Sequence, residues 1–307
     1  MLEPGSTFKI LTLAKAIDAG KTTMHSYIQC GGELHPGPAW RIRCDAHHGN
    51  RAHGPVDPTK AIAKSCNVAA ATWALRVGRA PFVEYMESLG LFRRSRIGLP
   101  RETWGSYNNE KWARPLALAN FGFGQSMSIT PIALAGAFST IANDGVRRPL
   151  RLIGKIGDRE TPLGEGERIL SAEACRETRA CMEAVIETDG GTGKTLRIPG
   201  YRLAGKTGTA QKIAKGEHGY VASFIGFVPA RKPQAVVLVM INKPQGEAYY
   251  GAQVAGPVFK ALAQGVIERY RIKPDAQAER EGTPAGPAVD LSATPVAMGP
   301  RRYPNAG

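Results

Sequence analysis

The sequence predicts an α+β protein in which helices and an antiparallel sheet are segregated. Apolar residues recur at helical spacing from Phe8 through the segment that opens at Ser171. From Tyr201 the period changes to two, in Tyr201–Thr209, Tyr220–Val228 and Gln234–Asn242, with turn residues such as Lys215-Gly216 and Pro229-Ala-Arg-Lys-Pro233 between them. A last helical pattern starts at Gly256-Pro257. Helices, then a meander, then one closing helix argue against a doubly wound sheet.

The chain of 307 residues is long enough to bury a substantial core, as one large domain or two small ones. Its 43% hydrophobic and 21% charged residues are ordinary for a globular protein. The net charge of +14 suggests an anionic neighbour. No aromatic-interleaved basic motif supports nucleic acid, so an anionic membrane surface is the better candidate. The Arg93-Arg94-Ser95-Arg96 and Arg147-Arg148 clusters read as solvated loop charge. No apolar run reaches the 18 residues that span a bilayer, and no signal peptide precedes Ser6.

The first element follows Glu3-Pro4-Gly5-Ser6-Thr7-Phe8-Lys9. Pro4 and Gly5 break the chain, and an apolar pattern at Phe8, Ile10, Leu11, Leu13 and Ile17 runs to a stop at Gly20. Ser6 therefore falls in a first helical turn, with Lys9 three residues on and on the same face. A neutral lysine amine can take a serine proton and make the hydroxyl a nucleophile, and the free N–H groups of a helix start suit an oxyanion. The simpler reading of such a pair is a cap beside a solvated lysine. Next comes a loop, about 25–58, with Cys30, Cys44, His47, His48 and His53. Pro58 to Lys64 leads to Ser65-Cys66-Asn67, which stands between two helical patterns and reads alone as a cap by Ser65 or Asn67.

Residues 91–116 are basic and irregular and carry no assigned chemistry. Phe121-Gly122-Phe123-Gly124-Gln125 offers backbone freedom at two positions. Thr130-Pro131 opens a helix whose expected core face is Ile132, Ala135, Phe138 and Ile141. Residues 146–170 read as a hairpin excursion. The helix from Ser171 carries Cys175 and Cys181 as buried thiols. Val236–Ile241 is apolar throughout, so both faces of that strand should be covered. In the last helix the expected buried stripe is Phe259, Leu262, Val266 and Tyr270. From Lys273 the chain is rich in Ala, Pro and Gly without periodicity. It divides into a packed domain over 1–272 and a disordered tail over 273–307.

Ser6-x-x-Lys9, Ser65-x-Asn67 and Lys206-Thr207-Gly208 occur in the order known from penicillin-binding proteins and serine β-lactamases. Longer runs, Phe121–Gln125, Ala204–Lys212 and Gly219–Pro229, extend the match over about residues 1–270. The chain resembles the transpeptidase domain of class B penicillin-binding proteins. The resemblance implies an antiparallel sheet between a closing helix and an all-α region, with Lys206 on the edge strand lining the cleft. It implies D,D-transpeptidation of peptidoglycan: Ser6 as nucleophile, Lys9 as its base, Ser65 relaying a proton, Asn67 binding substrate amide, and Lys206, Thr207, Gly208 and Thr209 binding the terminal carboxylate. Lys206 and burial together should depress the pKa of Lys9.

By the same resemblance the partners are stem peptides, β-lactams, a membrane-bound glycosyltransferase and division or elongation proteins, at the outer face of the cytoplasmic membrane. The reaction needs no cofactor, and no metal is assigned. Relatives carry a membrane anchor and upstream segments supplying two strands of the sheet, neither of which is read here. A less stable and less active chain is therefore expected. In the Cys/His loop three readings stand: zinc on Cys30, Cys44, His53 and one of His47 or His48, a Cys30–Cys44 disulfide, or free thiols. Some elongation-type relatives carry a metal in the corresponding loop. An inactive fragment or interaction surface of the same family, a D,D-carboxypeptidase, and a β-lactamase using Glu102 for deacylation are the alternative functions.

Overall fold

A computed structural model describes residues 1–44, 52–107, 114–211, 219–245 and 250–275. A single 3₁₀ turn, Gly5–Phe8, runs straight into helix α1 (Lys9–Asp18). Of its ten residues, Lys9, Ile10, Leu11, Thr12, Leu13, Ala14 and Ala16 are all buried, so α1 is the central helix and has no solvent face in its first half. Two small antiparallel pairs follow: β1 (Ile28–Cys30) with β4 (Gly54–Val56), and between them the hairpin of β2 (Glu33–Gly37) and β3 (Trp40–Arg43). Helices α2 (Pro58–Ala63), α3 (Asn67–Val77) and α4 (Arg79–Ser88) come next. Asp57 caps α2 through a bond from Lys60 N–H, with Pro58 at its first position.

A two-residue strand, β5 (Ser106–Tyr107), pairs with β6 (Met127–Ser128) on either side of helix α5 (Pro115–Gly122). Helix α6 (Pro131–Ala142) begins as the sequence predicts, Thr130 Oγ1 accepting from Ala133 N–H. Its core face is rotated from the expected one: Ala133, Leu134, Ala137, Phe138 and Ile141 are buried, whereas Ile132 is 38% exposed. The 146–170 excursion is a nested hairpin, β7 (Val146–Arg147) with β10 (Glu167–Arg168) enclosing β8 (Lys155–Ile156) with β9 (Arg159–Glu160). Ser171 then caps α7 (Ala172–Glu187), in which Cys175 and Cys181 are both fully buried.

The main sheet is the expected meander, β11 (Ala204–Gln211), β12 (Tyr220–Val228) and β13 (Ala235–Asn242), antiparallel in that order. On β12 the period of two divides the core. Ile225 and Phe227 join the helical cluster around α1, α3 and α7, while Phe224 and Val228 face a second cluster with α9 (Gly256–Tyr270). A four-residue helix, α8 (Gly251–Val254), leads into α9. The sheet thus has helices on both faces, the sandwich expected from the resemblance.

Two expectations need correction. On β13 only Val237 and Val239 are buried, because it lies at the sheet's edge among the described residues; Val236 and Leu238 are half-buried. On α9 the buried positions are Phe259, Ala263 and Ile267, and Leu262 and Tyr270 are 48% and 59% exposed. Phe259 keeps its expected place under Phe224, with ring centroids 4.5 Å apart, and the stripe turns beyond it because Ala263 and Ile267 face the cluster of Ile186, Leu196, Ile198 and Phe224. Packing also continues past residue 272: Asp275 N–H donates to Gly200 O, and its carboxylate accepts from Arg202 N–H. The rest of the predicted tail, and His47, His48 and Trp112, lie outside the described residues.

Candidate active site

The three motifs meet at one cleft of about 650 Å³, lined by Ser6, Lys9, Ser65, Asn67, Thr207 and Thr209 among others. Ser6 is half-buried in the 3₁₀ turn, and Lys9, one turn later, is 1% exposed at the start of α1. The turn is held from two sides. Gly5 N–H donates to Gly124 O at 3.0 Å, and Gly5 packs on the Thr209 backbone of β11. Strand β11 can approach this closely because residue 208 is glycine. A Cβ there would stand 2.3 Å from Ser223 Oγ and 2.9 Å from Thr7 Cγ2.

Ser65-Cys66-Asn67 is a corner between α2 and α3. Ser65 N–H bonds Ile62 O and Cys66 N–H bonds Ala61 O, the pair of bonds that ends a helix with a left-handed residue. Ser65 is that residue, at φ +56°, a conformation glycine usually takes and one that costs a serine about 1–2 kcal/mol. The next helix is capped by Cys66, whose Sγ accepts from Ala69 N–H, and not by Ser65 or Asn67. Asn67 is thereby free to donate from Nδ2 to Arg43 O at 2.9 Å, on the hairpin that walls the cleft.

The strained corner presents Ser65 to two amines. Lys9 Nζ donates to Ser65 O at 2.5 Å and to Ser65 Oγ at 3.0 Å, and Lys206 Nζ donates to the same Oγ at 3.0 Å. Lys206 also donates to Thr207 O and Thr207 Oγ1 at 3.0 and 3.2 Å. It is fully buried, and its pKa is driven well below the ordinary lysine value, first by burial and then by the charge of Lys9. Charge repulsion between the two lysines is thus present at Lys206.

Several wall residues carry no motif and were not foreseen: Glu3, Arg41, Arg43, Asn120, Thr192 and Tyr250. Glu3 accepts from Ser126 N–H at 2.9 Å, and burial raises its carboxyl pKa. Thr192 Oγ1 lies 3.4 Å from Thr207 Oγ1, and Gly251 N–H donates to Thr209 Oγ1 at 3.2 Å. Glu3 alone had a sequence signal, its place beside Ser6. Glu102 lies elsewhere: its carboxylate accepts from Ser95 Oγ and the Arg96 and Ile97 N–H groups, fastening a loop. All five cysteines are free thiols, and Cys30 and Cys44 do not form the disulfide that was one reading of their loop.

Chemically this is a serine–lysine site, in which hydroxyls are served by buried amines at the junction of a helical region and a sheet edge. The chain belongs to the penicillin binding protein transpeptidase domain family, which matches residues 1–264. It is similar to the probable peptidoglycan D,D-transpeptidase PenA of Neisseria gonorrhoeae, 34% identical over 278 residues that cover 89% of this chain and 45% of that protein. It is also similar to the peptidoglycan D,D-transpeptidase FtsI of Escherichia coli K12, 32% identical over 281 residues, 90% of this chain and 45% of that protein. Both relatives are of class B, the group that the motifs resemble. The chain thus spans less than half the length of these curated relatives. Among solved structures, the transpeptidase domain of Burkholderia pseudomallei penicillin-binding protein 3 superposes with a TM-score of 0.80 at 28% identity, covering 89% of this chain and 81% of that one. Penicillin-binding protein 3 of Mycobacterium tuberculosis in complex with aztreonam gives 0.78 at 29% identity, covering 89% and 64%.

Proposed function

We propose that the chain is the catalytic domain of a peptidoglycan D,D-transpeptidase acting through a serine acyl-enzyme. One observation carries this reading: a single hydroxyl, Ser65 Oγ, held at 3.0 Å by both Lys9 and Lys206 in the cleft that Ser6 lines. In the proposed reaction the neutral amine of Lys9 takes the Ser6 proton as Oγ attacks the carbonyl carbon between the last two D-alanines of a stem peptide. The N–H groups of Ser6 and Thr209 hold the resulting oxyanion, a contribution of about 3–4 kcal/mol per donor in comparable sites. The C–N bond breaks and the departing D-alanine amine takes a proton through Ser65 Oγ, which the two lysines resupply. The ester on Ser6 is then attacked by an amine of a second strand, which forms the cross-link and returns the serine.

Asn67 is assigned to the substrate amide, and Thr207, Gly208 and Thr209, with the charge of Lys206, to the terminal carboxylate. Arg41 and Arg43 on the rim add positive charge for an anionic substrate. The same reading puts the domain on the outer face of the cytoplasmic membrane, with β-lactams as inhibitors and a glycosyltransferase and division or elongation proteins as neighbours. It also takes residues 1–272 as the transpeptidase domain and 273–307 as a tail. No helix among the described residues is long and apolar enough to cross a membrane. Fluorescent penicillin followed by intact-mass analysis tests the assignment: the chain gains one adduct and Ser6→Ala gains none. Full labelling of Ser6→Ala would remove Ser6 from the mechanism.

A further inference from the structure

The two arginine clusters that read as solvated loop charge in the sequence meet at one cavity. The loop after α4 brings Arg93, Arg94 and Arg96, and β7 brings Arg147, to a concave space of about 730 Å³. Among the described residues it shares no wall with the catalytic cleft. Arg147 is half-buried, and its guanidinium converges with that of Arg93 over Gly90. A Cβ at residue 90, where φ is +77°, would stand 2.9 Å from Arg147 Nη2 and 3.3 Å from Arg93 Nε. Burial, and next the charge of Arg93, weaken the hold of Arg147 on its proton. Glu167, opposite Arg147 on β10, offsets part of this repulsion. Among the described residues, none of the four arginines forms a salt bridge.

The walls are held in shape by other groups. The Glu102 carboxylate fastens the loop, accepting from Ser95 Oγ at 3.0 Å and from the Arg96 and Ile97 N–H groups at 2.8 and 2.9 Å. Arg94 Cζ lies over the Trp104 ring, 4.8 Å from its centroid. On the facing wall Arg148 Nη1 donates to Gly164 O at 3.2 Å, which ties the strand of Arg147 to the returning chain. Like charges gathered on such a preformed frame repel one another in the free chain, and an anion between them relieves the repulsion.

The lining suits carboxylates better than phosphate. Two acids, Glu165 and Glu167, share it with the arginines, and they repel a dianionic phosphate more than a singly charged carboxylate. They also offer acceptors to peptide N–H groups. A flat lipid surface does not enter a concave site. Phe92, Leu150 and the 46% exposed Trp104 complete the lining and provide for an apolar side chain. Tryptophan and arginine are the side chains that most often carry the binding energy of protein interfaces, and arginine clusters read acidic peptides. We propose that this cavity is the docking site for an acidic segment of a partner protein, with carboxylates between Arg93 and Arg147 and an apolar side chain against Trp104. The site does not rest on the transpeptidase reading.

The test selects random peptides displayed on phage against the whole chain and compares two variants, Arg93→Glu and Arg147→Gln. The selected peptides are expected to be rich in Asp and Glu around an apolar or aromatic residue. By fluorescence anisotropy, the affinity of a selected peptide is expected to fall about 10–100-fold in Arg93→Glu, about 10-fold in Arg147→Gln, and with rising salt. Arg93→Glu sets a carboxylate beside Arg147, so its unfolding temperature is expected to rise while its binding is lost, which separates lost recognition from lost folding. Selected peptides without an acidic bias, or equal binding by the unaltered chain and Arg93→Glu, would overturn the proposal. Phosphatidylglycerol vesicles that bind the chain and displace the peptide would also overturn it, in favour of a lipid surface. Peptide binding is read without acylation, so failure of the unaltered chain to label with penicillin would count against the transpeptidase reading alone.

Discussion

The packing of Gly124 on the Gly5–Phe8 turn that carries Ser6 makes Gly124→Ala a sharp test of how the site is held. Residue 124 sits at φ +81°, and a Cβ there would stand 2.1 Å from Gly5 O and 2.7 Å from Phe8 Cβ. Real Cβ contacts do not fall below 3.0 Å, so the 124 backbone and the Gly5–Phe8 turn must separate by about 0.9 Å, from 2.1 to at least 3.0 Å. That separation also strains the Gly5 N–H to Gly124 O bond of 3.0 Å. Overpacking of this kind costs about 1–3 kcal/mol, and the left-handed backbone of a non-glycine residue adds about 1–2 kcal/mol. Acylation is more sensitive, since displacement of a reacting group by about 1 Å can cost about 100-fold.

The control is Gly157→Ala, in the β8–β9 turn, where φ is +57° and nothing lies within 4 Å. It carries the backbone strain without the clash. Thermal unfolding and the rate of penicillin labelling are measured for both variants. Gly157→Ala is expected to lose about 1 kcal/mol and no labelling rate. Gly124→Ala is expected to lose more stability and about two orders of magnitude in rate. A Gly124→Ala chain that labels at the unaltered rate would refute the claim that the 124 backbone positions Ser6.

Ser65→Ala removes the hydroxyl shared by Lys9 and Lys206 and leaves a folded chain whose labelling is slower by about 10²–10⁴-fold, as read by stopped-flow or gel fluorescence. Lys206 binds its proton more weakly folded than unfolded, so between its lowered pKa and 10.5 the unfolded chain holds more protons. Its contribution to stability therefore rises with pH across that window. Denaturant titrations from pH 8 to 10 should show a smaller gain with pH for Lys206→Met than for the unaltered chain, and equal slopes would contradict the assignment. Phe259→Ala empties the space under Phe224 and is expected to cost about 3–5 kcal/mol in urea unfolding, with the motifs' geometry kept.

Local chemistry was enough to read much of this protein. The period of two over 201–242 yields the meander because alternating residues on a strand face opposite sides whatever covers them. Thr130 and Ser171 cap their helices because a hydroxyl before a first turn finds an N–H two or three residues on. The three motifs identify the family and name the groups of the site. What the sequence left open is set by distant partners. The buried stripes of α6 and α9 keep Phe138 and Phe259, which meet Phe227 at 6.0 Å and Phe224 at 4.5 Å, but at the other positions burial follows the neighbours that cover them, so Leu134 replaces Ile132 and Ile267 replaces Val266 and Tyr270.

The site itself depends on contacts between segments far apart in the chain. Lys9 and Lys206 meet one hydroxyl from positions 56 and 141 residues away, and that proximity, with burial, is what drives the Lys206 pKa down. Only the fold brings Cys66, the middle residue of the second motif, within 4.8 Å of Cys30, Cys44 and His53. Coulomb repulsion and desolvation both act through space. Spacing along the chain determines them only within a turn or a strand, and here the charged and sulfur-bearing groups meet across the whole domain.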